Sequence, residues 1–131
     1  MPQSPAAADN LWQHTCCELF VASPSEDSYR EFNFSPSGQW AAYRFTAYRQ
    51  PDQDFQPPAA PQINVTRLND GFELDALIAR ELLPSGNILE IGLSTVIEAP
   101  DGSKTYWALA HHAEQPDFHL RASFTLRLPR P

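Results

Sequence analysis

Apolar and polar residues alternate along several short stretches of this chain, and each stretch ends at a cluster of turn-forming residues. Residues 11–21 (LWQHTCCELFV) place Trp12, His14, Cys16, Glu18 and Phe20 on one face of an extended segment. Leu11, Thr15, Cys17, Leu19 and Val21 fall on the other. A polar loop, SPSEDS, covers residues 23–28. Residues 29–34 (YREFNF) and 39–45 (QWAAYRF) then alternate on either side of Ser35-Pro36-Ser37-Gly38. Proline presets the second position of a type I turn, and serine and glycine suit the first and fourth, so a β-hairpin is predicted. The simplest register pairs Asn33 with Trp40 and Glu31 with Ala42, which puts Arg44 diagonal to Glu31 on the same face. A bulge beside Gly38 would slip the pairing by one residue and turn the return strand over.

Residues 50–61 (QPDQDFQPPAAP) are proline-rich and polar, as in a surface loop or a crossing between sheets. Residues 62–68 and 72–78 alternate around Asn69-Asp70-Gly71 and predict a second hairpin. Residues 79–83 fit one helical turn stopped by Pro84, and Leu74, Ile78 and Leu82 keep a helix open as the rival there. The run at 88–97 (ILEIGLSTVI), rich in β-branched residues, reads as a buried strand. A turn at Pro100-Asp101-Gly102 returns it through 105–111, and 123–128 closes the chain. About eight strands joined by short turns, with no long helix, predict an all-β chain folded as an antiparallel β-sandwich. Residues 11–131 are read as one domain, preceded by a flexible arm at 1–10.

Composition narrows the role. At 131 residues and 42% hydrophobic, the chain suits one core, and its 13 prolines argue against a helical bundle. A formal net charge of −7 repels phosphate backbones, so nucleic acid is not an expected partner. No apolar run approaches the ~20 residues of a membrane span. The first ten residues lack the basic and apolar regions of a secretory signal, and the adjacent Cys16 and Cys17 read as free thiols, which together point to the cytoplasm. Five glycines form no phosphate-binding loop.

Glu18, Glu31, Asn33 and Arg44, with Trp40 and Trp107 as flat platforms, supply what a sugar site needs: ring surface for C–H faces and polar groups for hydroxyls. The plainer alternative is a Glu31–Arg44 cross-strand pair and buried tryptophans. His111, Asp117 and His119 join the candidate ligand-binding set. With His112, and with His14, Cys16 and Glu18, they are zinc-ligand types without a zinc spacing, so no metal is expected. Glu18 and Glu31 would suit glycoside hydrolysis if their carboxyls stood ~5–9 Å apart.

Three stretches resemble a known family. LWQHTCCELF (11–20), YREFNFSPSGQWAAYRF (29–45), and IGLSTVIE (91–98) with YWALAHHAEQPDFH (106–119) are similar to the bacterial DOMON-like domains, relatives of the family-9 carbohydrate-binding modules. The resemblance implies a ligand-binding β-sandwich, with sugar or haem as the ligand classes of the wider superfamily. Haem-binding members use a methionine axial ligand, and the sole methionine here is Met1, so haem is not expected. The expected function is therefore non-catalytic binding of a carbohydrate or related small polar molecule. A glycosidase-like or metal-dependent hydrolase and a structural self-association domain are the alternatives. Family members carry further strands ahead of the LW segment, and this chain starts almost at it. An unpaired sheet edge and hence a homo-oligomer are expected.

Overall fold

Alternation becomes strand almost wherever it occurs. A computed structural model describes residues 6–111 and 113–131. Among these the strands are β1 (Ala6–Ala7), β2 (Cys16–Ala22), β3 (Tyr29–Phe34), β4 (Gln39–Ala47), β5 (Gln50–Pro51), β6 (Gln62–Leu68), β7 (Gly71–Leu77), β8 (Ile88–Glu98), β9 (Lys104–Ala108) and β10 (Leu126–Pro129). The helical elements are single 3₁₀ turns, at Leu11–Gln13, Arg80–Leu82 and Arg121–Ser123. The chain is all-β, as predicted.

Four long strands, in the order β4-β3-β2-β8, form the body of one antiparallel sheet. Short strands finish its edges: β1 and β5 on β4, β9 and β10 on β8. The β6–β7 hairpin is a separate two-stranded sheet. It lies over one face of the large sheet, where Ile63 packs into a buried cluster with Val21, Phe32, Phe34, Leu82, Leu89 and Ile91. The second layer is thus a hairpin and the 3₁₀ turn that follows it. The helical rival at 72–83 loses because the Asn69-Asp70 turn lets β7 pair with β6 along its length, from Leu68 with Gly71 to Gln62 with Leu77.

The predicted register of the β3–β4 hairpin is off by one. Asn33 pairs with Ala41, Glu31 with Tyr43, and Arg30 with Arg44. Gly38 is the cause. Its amide donates to Ser35 O at 2.9 Å, closing the turn, and it adopts φ +90°, the left-handed residue of a bulged three-residue connection. Ser35 then faces Gln39 rather than Gly38. Glu31 and Arg44 consequently project from opposite faces, and their expected cross-strand pairing does not exist. Pro100 and Gly102 (φ +86°) build the same turn between β8 and β9.

Two expectations at the N-terminus also change. Residues 11–15 are not strand: Asn10 turns left-handed at φ 61° and Leu11–Gln13 makes a 3₁₀ turn before β2 begins at Cys16. Within the stretch read as a flexible arm, Ala6–Ala7 belong to the sheet, paired in parallel with Gln39 and Trp40. Residues 1–5 of that arm, and His112, lie outside the described residues.

Candidate functional site

The face of the sheet away from the hairpin carries Cys16, Glu18, Phe20 and Ala22 from β2 beside Tyr29, Glu31 and Asn33 from β3, with Ala41, Tyr43 and Phe45 beyond them on β4. One end is filled by aromatic rings. Tyr29 stacks on Phe45 at 4.9 Å between centroids, and Phe20 and Tyr29 meet Phe124 at 5.6 and 5.7 Å. Gly92, opposite Phe20, makes this possible, since a Cβ there would stand 3.0 Å from the Phe124 ring. Beyond the rings the face opens into a cavity of about 670 Å³. Phe20, Tyr43, Phe45, Tyr106 and Phe118 wall it, and Glu18 and Glu31 are its acidic floor.

The two carboxyls sit diagonally on adjacent strands, Glu18 opposite Asn33 and Glu31 opposite Phe20. Both are buried, at 6% and 5% exposure. Two ionised carboxylates in such a place repel and lack solvation, so the pair favours keeping one proton. Burial, then the Glu18 charge, pushes the Glu31 carboxyl up to about 8. Burial raises Glu18 too, while hydrogen bonds from Glu31 and Ser94 favour its ionised form. Ser94 Oγ donates to Glu18 Oε2 at 3.3 Å. Asn33, wholly buried on the same face, lies near enough to favour ionised Glu31, yet neither its amide nitrogen nor its oxygen makes a hydrogen bond of ordinary geometry.

His119 reaches the floor from the loop after β9. Its Nδ1 lies 2.8 Å from Tyr29 Oη, which also accepts the Arg49 backbone N–H at 3.0 Å. The tyrosine hydroxyl therefore has its own proton to give to Nδ1. This assigns the imidazole proton to Nε2, which faces Glu31 Oε1 at 3.7 Å. Burial, then the Arg49 charge, depresses the imidazole to about 4, so it is neutral at pH 7. At the rim, Tyr43 Oη donates to Asp9 at 2.8 Å. Asp117 accepts from Tyr48 and, at 2.9 Å, from Arg49; against the opposing effect of partial burial, these hydrogen bonds hold its carboxyl below the usual range.

The structure thus brings Glu18, Glu31 and His119 together, with Asn33 beside the two glutamates on the sheet face and Asp117 paired with Arg49 at the rim. It does not bring the remaining candidates there. Trp40 and Arg44 project from the hairpin-covered face, where Arg44 pairs with Asp52. Trp107 pairs with Thr95 on that same face and is 61% exposed, with its indole N–H on Thr105. His111 is exposed, its ring 5.9 Å from Phe118. His14 makes an exposed pair with Glu98. Among the described residues no three His, Cys, Asp or Glu side chains group as metal ligands.

Sequence reasoning missed Tyr43, Phe45, Arg49, Tyr106 and Phe118. Tyr43 and Phe45 carried a usable signal, since the slipped register at Gly38 puts both on the Glu31 face. The loop residues carried none, because periodicity says nothing about where an irregular segment folds back. No protein-family model matches this chain, and no curated protein or solved structure matches it either.

Proposed function

We propose that this chain is a non-catalytic binding domain whose cavity takes a small polar molecule, a carbohydrate or a relative of one, as the DOMON-like resemblance implies. One observation carries this reading: two buried carboxyls, Glu18 and Glu31, lie on the floor of a cavity of about 670 Å³ walled by aromatic rings. Concave, mostly apolar walls with a few convergent polar groups are the usual make-up of a small-molecule site. The ring faces suit C–H surface and the polar floor suits hydrogen-bonding groups. A cytoplasmic location is proposed with it, on Cys16 and Cys17, which are unpaired and point to opposite faces of β2. No helix among the described residues is long and apolar enough to cross a membrane.

The test is calorimetric titration and thermal shift against mono- and disaccharides and small polar compounds, repeated with Tyr43→Ala and Glu31→Gln. Binding that both substitutions weaken supports the reading. Binding that neither affects, or no binding by any compound, overturns it.

A second reading, self-association, has its own observation. Beyond the hairpin the covered face continues as an open apolar strip: Leu93, Ile97, Trp107 and Leu109 are 43%, 45%, 61% and 51% exposed. Strand β9, which carries Trp107, has no partner on its outer edge among the described residues. A free edge beside an apolar face is self-complementary under a two-fold axis, so the proposed occupant is the same strip of a second copy. Light scattering that gives a monomer at high micromolar concentration overturns this second reading.

A further inference from the structure

Resting on the binding role proposed above, we infer that the ligand of this cavity carries a cationic nitrogen, which docks against the Glu18 and Glu31 carboxyls on its floor. Three features of this sheet face point this way. The two buried carboxyls line the cavity from diagonal positions on adjacent strands, and burial raises both, so a cation that enters beside them takes the place of a bound proton. A protonated amine placed there satisfies both. The aromatic residues Phe20, Tyr43 and Tyr106 present ring surface around the same space, and ring faces attract a poorly hydrated organic cation. The Asn33 amide, 0% exposed and without a partner, projects from the same face of the sheet beside both carboxyls and holds a spare acceptor. A neutral polyol would leave the shared proton in place and the second carboxylate unused.

The surrounding charges agree. Arg49, at the mouth, is neutralised by Asp117, and Asp9 and Lys104 at the rim are opposite in sign. The remaining titratable neighbours are neutral: His119, held low by burial, and Cys16, Tyr29 and Tyr43, whose ionisation burial pushes upward. The carboxyl pair therefore carries the net negative charge of the floor. The exchange balances without any redox partner. An ammonium enters, one carboxyl O–H bond breaks, and the proton leaves to the buffer.

Ethanolamine, choline and glucose serve as probes, titrated calorimetrically into the whole chain in buffers of different ionisation enthalpy. The expected result is that ethanolamine or choline binds with release of close to one proton. Its affinity should rise about tenfold per pH unit between pH 6 and 7 and level off above pH 8. His119, depressed to about 4, does not titrate in that window, so the slope belongs to the carboxyl pair. Glu31→Gln should abolish the proton release and weaken the cation at least tenfold. Because it swaps a carboxyl for an amide of the same shape, a cooperative melt no lower than the parent's confirms its fold, and Glu18→Gln serves as the second variant. Glucose binding without proton exchange, while both cations fail, overturns the cation assignment and leaves the binding role standing. Failure of all three probes, and of the wider panel, overturns both.

Discussion

The two faces of the large sheet are built from the same four strands yet do different things. On one, Val21, Phe32, Phe34, Leu89 and Ile91 meet the β6–β7 hairpin and exclude water. On the other, Glu18, Glu31 and Asn33 occupy the corresponding positions, and instead of a second layer there is a cavity. The dry face gains stability from every buried methylene. The open face loses some, because burying two carboxyls and an unpartnered amide costs free energy that packing elsewhere must offset. That a chain of 131 residues places polar groups where leucines would stabilise it argues for a use.

The sharpest contrast between the faces should be in mutant stability. Phe32→Ala on the covered face removes a ring at 1% exposure and should cost ~3–5 kcal/mol in denaturant unfolding. Glu31→Gln on the open face should do the reverse at alkaline pH, raising stability at pH 8.5 by on the order of a few kcal/mol. Equal losses for both would mean that the carboxyl pair is a structural element.

The pH dependence of stability separates the faces next. Glu31 is raised from an ordinary 4.5 to about 8, so the folded state holds a proton that the unfolded chain gives up. Its contribution is complete below pH 4.5 and is lost as pH rises towards 8. His119 is lowered from 6.5 to about 4, so its contribution is complete above pH 6.5 and is lost as pH falls towards 4. The two slopes oppose each other between 4.5 and 6.5. The expected profile is a plateau there and a decline from pH 6.5 to 8, which Glu31→Gln should flatten. Thermal melts of parent and variant across pH 4–9 check it.

Smaller effects belong to the residues that the structure removes from the site. Trp107→Ala should leave cavity binding unchanged, because Trp107 stands on the other face, and should lower the apparent mass in light scattering if the apolar strip joins two copies. Arg44→Ala should shift stability by only ~0–1 kcal/mol, since the arginine side chain stays 44% exposed in its pairing with Asp52.

Strand existence was legible because half-buried strands must alternate, and β2, β3, β4, β6 and β8 do. The site was legible only in part. Glu18 and Glu31 share a face by simple alternation on their own strands, but which β4 residues join them depends on one glycine. Gly38 in the left-handed region inserts one residue and exchanges Trp40 and Arg44 for Tyr43 and Phe45. Residue types around a four-residue turn do not distinguish these registers, although the bulge was foreseeable from the glycine's position. His119 and Phe118 reach the cavity from an irregular loop that no local sequence pattern predicts.

The claim beneath all of this is that Glu18 and Glu31 share a proton under an open cavity. Carbon-detected NMR titration of the glutamate side chains from pH 3 to 10, in the ligand-free chain, tests it most directly. The account predicts that one macroscopic step of the pair falls near pH 8, so that a proton remains on it at pH 7. Two ordinary steps near pH 4.5 would show two independent, solvated carboxylates and contradict it.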